Sequence, residues 1–481
     1  MPSVTFRAEA SPVIGGGHVM RCLTLADRLR DDGWDTSFCC SPETRITIPL
    51  LENSGHRVVE SPVCENSATD WLVIDHYGLG IEYEKSCRSQ AKQIMVFDDL
   101  PTRLHDCDIL IDQNMGRVPE DYRRLVPDTA IVATGTAYAL LRPQFADARA
   151  GGLSQIHSKG NPLRLLIAMG FTDPDNATGF ILDALTESSA EITVDIVLGS
   201  NAPHLKDLRK RVANLPFVAA VRTDVTDMAG LLVETDLVIG AAGSGAWERC
   251  CLGIPALVVI LAENQRQVAD ALDKQKIAIN LGPLHNLKAK EAAQKIHRAL
   301  ESPEQLASLA RNAARVCDGL GAGRVSLLLD PERAKDGNPV QLRPARREDA
   351  DILLVWQSLP ETRRYSRNSG APTRDEHCAW YASKLADTSL YFHIIEHHGE
   401  PAGTLRLEKK NNTPDTFEVN ILIAPNKYSL GIAQAALLAA SRLHTYMTMV
   451  AEVLPDNAAS HALFKKAGFL HEGGLYTRQP R

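Results

Sequence analysis

The sequence predicts an α/β protein: two doubly wound, parallel-sheet domains in series, followed by a smaller α+β domain. Three observations lead there. Short apolar runs alternate with amphipathic helical stretches from the start to about residue 330, the pattern of strands covered on both faces by helices. A polar, glycine-bearing stretch, 148–162, interrupts that series near its middle. Beyond 329–340, which is charged and carries two prolines and a glycine, the alternation stops and helices mix with hairpin signals. We read 1–150 and 160–328 as the two halves of a cleft-forming pair, 329–340 as a linker, and 341–481 as the third domain.

In the first half the strand candidates are VTF (4–6), WLVID (71–75), IMVF (94–97), ILI (109–111) and AIVA (130–133). In the second they are RLLIA (164–168), TVDIVLG (193–199), LVIG (237–240), ALVVI (256–260) and IAINL (277–281). Between them lie helices such as HVMRCLTLADRLR, whose positions 19, 22, 23, 26 and 29 share one face. In the third domain VQLRPAR reads as a strand, ADILLVWQSL and RDEHCAWYASKL as helices, and YFHIIEHHGEPAGTLRLEKK as a hairpin turning at His398-Gly399-Glu400. FEVNILIAP and TMVAEVL follow as strands, GIAQAALLAASRLH and NAASHALFKKAG as helices.

A net charge of −7 argues against a general nucleic-acid binder. No apolar run is long enough for a membrane span, and the N-terminus lacks the basic and apolar regions of a secretory signal. The ten cysteines include two adjacent pairs and no CxxC, which suits reduced structural thiols in a cytoplasmic protein.

Two segments carry the chemistry of the first pair of domains. In IGGGHVMRC (14–22), Gly15, Gly16 and Gly17 let a ligand approach the backbone, and His18 follows at a helix start, where free N–H groups favour anions. Imidazole is the side chain that exchanges protons near neutral pH. Alone, this is also an ordinary glycine turn with a solvent-facing histidine. In IGAAGSGAWERCCLGIPALVVILAENQ (239–265), a strand runs into Gly243-Ser244-Gly245, whose N–H groups suit a diphosphate, and Glu248 lies one turn into the helix, placed to accept from ribose hydroxyls. Asp106-Cys107-Asp108 is formally a DxD, but it precedes a strand rather than ending one, so we assign no metal to it.

The 239–265 segment resembles the nucleotide-sugar site of GT-B-fold glycosyltransferases. The whole of 1–325 resembles the UDP-sugar hydrolase of pseudaminic acid biosynthesis. The matching pieces are FRAEAS (6–11), GGGHVMRCLTLA (15–26), VIDHYGL (73–79), FDDLPTRLHDCDILIDQN (97–114), YALLRPQF (138–145), MGFTDPDNAT (169–178), GAAGSGAWERC (240–250) and AENQ (262–265). Phe171-Thr172 departs from the family's Gly-Ser. The resemblance implies hydrolysis of UDP-2,4-diacetamido-2,4,6-trideoxy-β-L-altropyranose at its anomeric carbon without a metal. It makes His18 the base that deprotonates water, and Tyr77 and Asn264 the holders of sugar and water. It places Gly17, Arg21, Gly170, Gly243, Ser244, Gly245, Glu248 and Gln265 around the nucleotide. Arg7, Asp75 and Arg21 are weaker candidates, each about as readable as a structural charge.

In the third domain, FEVNILIAPNKYSLGIAQAALLAA (417–440) resembles the core motif of the GNAT acetyltransferases, whose signature is Arg/Gln-x-x-Gly-x-Gly/Ala. Gly431 and Ala433 match it; Tyr428 stands where the signature has Arg or Gln, and Lys427 is the nearest cation. Downstream, VLPDNAASHALFKKAGF (453–469) fits the family. The resemblance implies acetyl-CoA as co-substrate, contacted by Ile423, Gly431, Ala433, Asn457 and Ser460. Arg364-Tyr365-Ser366, Glu376-His377 and Trp380-Tyr381 resemble the N-acetyltransferases that act on UDP-amino sugars. Glu418 is the candidate base, acting through water, and is equally readable as a strand-face carboxylate. Where the family often carries a tyrosine to protonate the leaving thiolate, this sequence has Phe464. The joint expectation is a bifunctional enzyme taking a UDP-linked amino or diacetamido sugar and acetyl-CoA. The alternative is a GT-B glycosyltransferase with a non-catalytic coenzyme A-binding module.

Overall fold

The computed structural model describes residues 1–11, 14–59, 68–154, 162–187, 191–366, 368–410, 413 and 415–480. Packing divides the chain into two compact units, 1–322 and 323–481.

The first unit is built on two wholly parallel sheets. One joins β1 (Ser3–Ala8), β2 (Asp35–Cys39), β3 (Arg57–Val59), β4 (Thr69–Asp75), β5 (Ala91–Phe97), β6 (Ile109–Asp112) and β7 (Ile131–Thr134) in the order β3-β2-β1-β4-β5-β6-β7. The other joins β8 (Leu163–Ala168), β9 (Ile192–Leu198), β10 (Val218–Thr223), β11 (Leu237–Ala241), β12 (Ala256–Ile260) and β13 (Ala278–Pro283) in the order β10-β9-β8-β11-β12-β13. In each sheet the chain winds outward one way, then returns to the centre and winds the other. The reversal falls between β1 and β4 in the first sheet and between β8 and β11 in the second. Loops diverge at the carboxyl ends of such strand pairs and leave a crevice, the usual ligand position in open α/β sheets.

Every strand expected in these halves is present. Three more, β2, β3 and β10, lacked an apolar run to mark them. β2 buries polar side chains that satisfy one another: Ser37 Oγ lies 3.0 Å from Thr5 Oγ1, and Thr36 Oγ1 lies 2.6 Å from His56 Nδ1. β3 and β10 are sheet edges, and β10 alternates between half-buried and exposed residues.

The crossover between the halves comes earlier than the 148–162 composition break. Ala139, Leu141 and Phe145 already pack in the core of the second sheet with Trp247 and Val258. The helix Pro143–Ser154 runs into the break and is pinned there, Arg149 donating to the carbonyls of Ala314, Cys317 and Cys251. A Cβ on Gly152 would lie 2.6 Å from the Leu252 carbonyl oxygen, so the two helices touch backbone to backbone. Residues 155–161 of that break lie outside the described residues.

The second unit holds one mixed sheet of β14 (Val340–Pro344), β15 (Leu390–His397), β16 (Glu400–Lys409), β17 (Thr416–Ile423), β18 (Thr448–Glu452), β19 (Leu470–Glu472) and β20 (Leu475–Arg478), ordered β14-β15-β16-β17-β18-β20-β19. The hairpin turn stands where expected, with His398 and Gly399 both at positive φ, as a two-residue turn of this hand requires. β17 and β18 are parallel but pair only from Thr416↔Thr448 to Glu418↔Val450; beyond Glu418 the two strands part.

The 329–340 segment is not a free linker. Its charges are partnered within the second unit: Arg442 reaches Asp330 and Glu332, and Asp336 sits 3.0 Å from His397. Val340 N–H donates back to Glu332, and Ala334 is buried.

Candidate functional sites

In the first unit, β1 and β4 lie side by side, so the loop after β1 and the end of β4 meet. His18 enters on the helix Gly17–Asp31, which opens with no side-chain cap and no acid in its first turn. Asp75, the last residue of β4, has no exposed side-chain surface. His18 Nδ1 bonds to Asp75 Oδ1, and Arg21, one turn further along the helix, donates from Nη2 to the same oxygen at 2.6 Å and from Nε to Oδ2. Burial by itself would favour the neutral acid, but Arg21 and His18 outweigh it and hold the Asp75 carboxyl well below the usual carboxylate range. An ionised carboxylate only accepts, so Nδ1 of His18 carries a proton, and in the neutral imidazole the lone pair then falls on Nε2. Arg21 is fixed in turn, its guanidinium 5.1 Å from the centre of the Phe97 ring.

Tyr77 stands edge-on to His18, ring centres 4.9 Å apart. Its hydroxyl donates to Asp99 Oδ2 at 2.8 Å and accepts from Asn264 Nδ2 at 2.9 Å, so Asn264 reaches across from the second sheet's loops. Burial and the neighbouring Asp99 push the Tyr77 phenol well above its ordinary range. Asp99 escaped the sequence reading, although it lies inside the 97–114 match; no spacing marks it. Beneath it, Arg103 donates to the carbonyls of Tyr77 and Leu79 and to Asp98, which tethers the loop carrying Tyr77.

From the second sheet, Gly170 follows β8 at φ +112°, a backbone setting that favours glycine. Gly243-Ser244-Gly245 follows β11 and opens the helix Gly245–Leu252, again with no side-chain cap. A Cβ on Gly17 would lie 3.8 Å from Ser244 Oγ, so the two uncapped helix starts face each other. Gln265 accepts from Leu261 N–H and rests against Gly243, and Glu248 is half-buried; burial raises its carboxyl against the pull of Arg142 and Arg249. The departure at Phe171 points elsewhere, its ring lying on Gly199. Arg7 pairs with Glu9, a structural engagement. Arg88 clasps both carboxylates of Asp106-Cys107-Asp108. Among the described residues no cluster of three or more His, Cys, Asp or Glu is placed to hold a metal ion, and no helix is long and apolar enough to cross a membrane.

In the second unit, Glu418 sits on β17 directly across from Glu408 of β16. Glu408 is held by Lys384, at 3.0 Å, and by Arg406, which lies under Trp380 at 5.2 Å. Burial raises the Glu408 carboxyl, but these two cations outweigh it and keep it below its ordinary range. Glu408 and Arg406 were not anticipated. Ile423 ends β17, beyond the point where β18 departs. Gly431 caps the helix Ile432–Leu443 at φ +82°, with Ala433 in its first turn. Asn457 caps the helix Ala458–Lys466 by accepting from Ser460 N–H at 3.1 Å, which commits its carbonyl oxygen to the fold. Phe464 is core, packed on Phe469 and Tyr476. Glu376 completes a capping box with Thr373 at the start of its helix, and His377 and Tyr381 are buried.

Fold and comparison together define the class: a GT-B-like unit followed by a GNAT acetyltransferase domain. Residues 340–470 match the family described as "Acetyltransferase (GNAT) domain". MurG of Acinetobacter baumannii superposes with a TM-score of 0.52 at 15% identity, over 68% of this chain and 99% of that one, which shows the fold alone. The chain is 30% identical, over 279 residues, to the UDP-2,4-diacetamido-2,4,6-trideoxy-beta-L-altropyranose hydrolase of Campylobacter jejuni, spanning 56% of this chain and 96% of that protein; it belongs to that hydrolase's family. An uncharacterized protein of Methanocaldococcus jannaschii is similar almost end to end, 22% identical over 479 residues, 96% of this chain and 95% of its own.

Proposed function

We propose that the chain is a bifunctional nucleotide-sugar enzyme. Its first unit hydrolyses a UDP-linked diacetamido sugar of the 2,4,6-trideoxy-altrose type, and its second N-acetylates the 4-amino group of the UDP-amino-sugar precursor with acetyl-CoA. The observation that carries the hydrolase reading is the buried Arg21–Asp75–His18 chain, which fixes the imidazole tautomer. Nε2 takes a proton from water as the water attacks the anomeric carbon and the C–O bond to UDP breaks. UDP is already a good leaving group and needs no strong acid. The two facing helix starts supply N–H groups for its diphosphate, and Glu248 accepts from ribose. Tyr77 and Asn264 wall the sugar. General base catalysis of this kind is worth ~10²–10⁴ in rate.

In the acetyltransferase, the gap between β17 and β18 receives the pantetheine arm and Gly431 and Ala433 the pyrophosphate. Glu418, through water, takes the proton from the attacking amine. Phe464 donates no proton, so water or another group protonates the leaving thiolate. The test is incubation of the full chain with the UDP-diacetamido sugar and no acceptor: rapid UDP release supports the hydrolase. A second reading, a glycosyltransferase with an acceptor other than water, draws on the MurG-like fold and requires that release to be negligible until an acceptor is added.

A further inference from the structure

The turn that opens the helix Ile432–Leu443 is overlaid by a segment lying before the matched acetyltransferase region, which begins at 340. Lys335 is the point of contact, and it engages the turn three ways. Its backbone N–H donates to the Leu430 carbonyl at 2.8 Å. Its Nζ donates to the Ser429 carbonyl at 2.9 Å. Its stem covers Gly431, where a Cβ would lie 2.9 Å from Lys335 Cγ. The segment is held from both sides, by Arg442 on Asp330 and Glu332 and by His397 on Asp336, so the lysine is presented by an anchored backbone.

A cation is electrostatically misplaced at a helix N-terminus, which already carries the positive end of the dipole. This helix adds no compensating acid in its first turn and no side-chain cap. The nearby acids Asp336 and Glu332 are engaged by His397 and Arg442, and Lys427, the cation nearest in sequence, lies 3.5 Å from Glu400. Lysine and helix start together make a positive locus that an anion would relieve. Tyr428 meanwhile occupies the position where the acetyltransferase signature carries Arg or Gln.

We propose that Lys335, from outside the acetyltransferase motif, supplies the cation that contacts the diphosphate of coenzyme A at the Ser429–Gly431 turn, in place of the missing residue at 428. This rests on the acetyltransferase reading of the second unit. Binding of coenzyme A and of pantetheine, which lacks the diphosphate, is measured calorimetrically on the full chain. Lys335→Met keeps the stem over Gly431 and removes the charge; Lys335→Arg keeps the charge. The expected result is about a tenfold loss of coenzyme A affinity in Lys335→Met, unchanged pantetheine binding, and recovery in Lys335→Arg. Equal coenzyme A affinity in Lys335→Met and the unmodified protein overturns the proposal while leaving the acetyltransferase reading intact. Parallel loss of both ligands also overturns it, marking Lys335 as a structural pin. Absence of coenzyme A binding in the unmodified protein overturns the reading and the proposal together.

Discussion

The two units hold their candidate bases in opposite ways. His18 is wired from behind to a carboxylate with no exposed side-chain surface, itself clasped by Arg21. Glu418 stands on a half-buried strand face opposite a second carboxylate, Glu408, which Lys384 and Arg406 hold. A base whose tautomer is set by buried partners is preorganised before any ligand arrives. On the proposed reading Glu418 works through a water, so its contribution is shared with that water. The contrast predicts a steep, local dependence on single residues in the first unit and a shallower one in the second.

The largest effect should come from Asp75→Asn. An amide can donate as well as accept, so the His18 tautomer is no longer set, and Arg21 is left buried without its counter-ion. UDP release should fall ~10²–10⁴, with a loss of about 3–5 kcal/mol in unfolding free energy; kinetics and denaturant melts on one preparation report both. If activity survives, the wiring from behind is ornamental and the contrast between the units fails. Glu418→Gln sharpens the other side: acetyl transfer should fall by ~10²-fold or less, with UDP release untouched. A smaller effect is expected from Tyr77→Phe, which removes the bond to Asp99 and the acceptor for Asn264, about 1 kcal/mol and a several-fold slower release.

The pH dependence of stability separates the units further. His105 is buried between Asp98 and Glu84, 2.9 and 2.7 Å from its ring nitrogens. Burial opposes its charge, but the two carboxylates outweigh it and raise it to about 9. Its folded value thus lies above the unfolded one near ~6.5, so the stabilisation is complete below that pH and is lost as pH rises through about 9. The first unit should therefore melt earlier in the alkaline range, and His105→Gln should flatten that slope; an unchanged slope would mean that His105 is neutral where it sits.

Much of this was legible in the chain. Strands buried on both faces read as apolar runs, which is why β4, β11 and β12 were found, whereas β2 hides Thr36 and Ser37 in pairwise hydrogen bonds and shows no run. The β19–β20 hairpin was missed although Gly473-Gly474, both at positive φ, was a turn signal open to reading. His18 announced itself by its glycines. Its link to Asp75 did not, because only the adjacency of β1 and β4 brings together residues so far apart in sequence. Segment 329–340 misled because its charges and prolines match a linker's composition, while composition says nothing of Arg442 and His397 waiting to pair with them.

The most direct test is His18→Gln, assayed for UDP release from the UDP-diacetamido sugar with no acceptor, and for UDP binding on the same sample. Release that falls by ~10²–10⁴ with UDP bound as tightly as before is the predicted result. Release at the unmodified rate would contradict the account of the first unit.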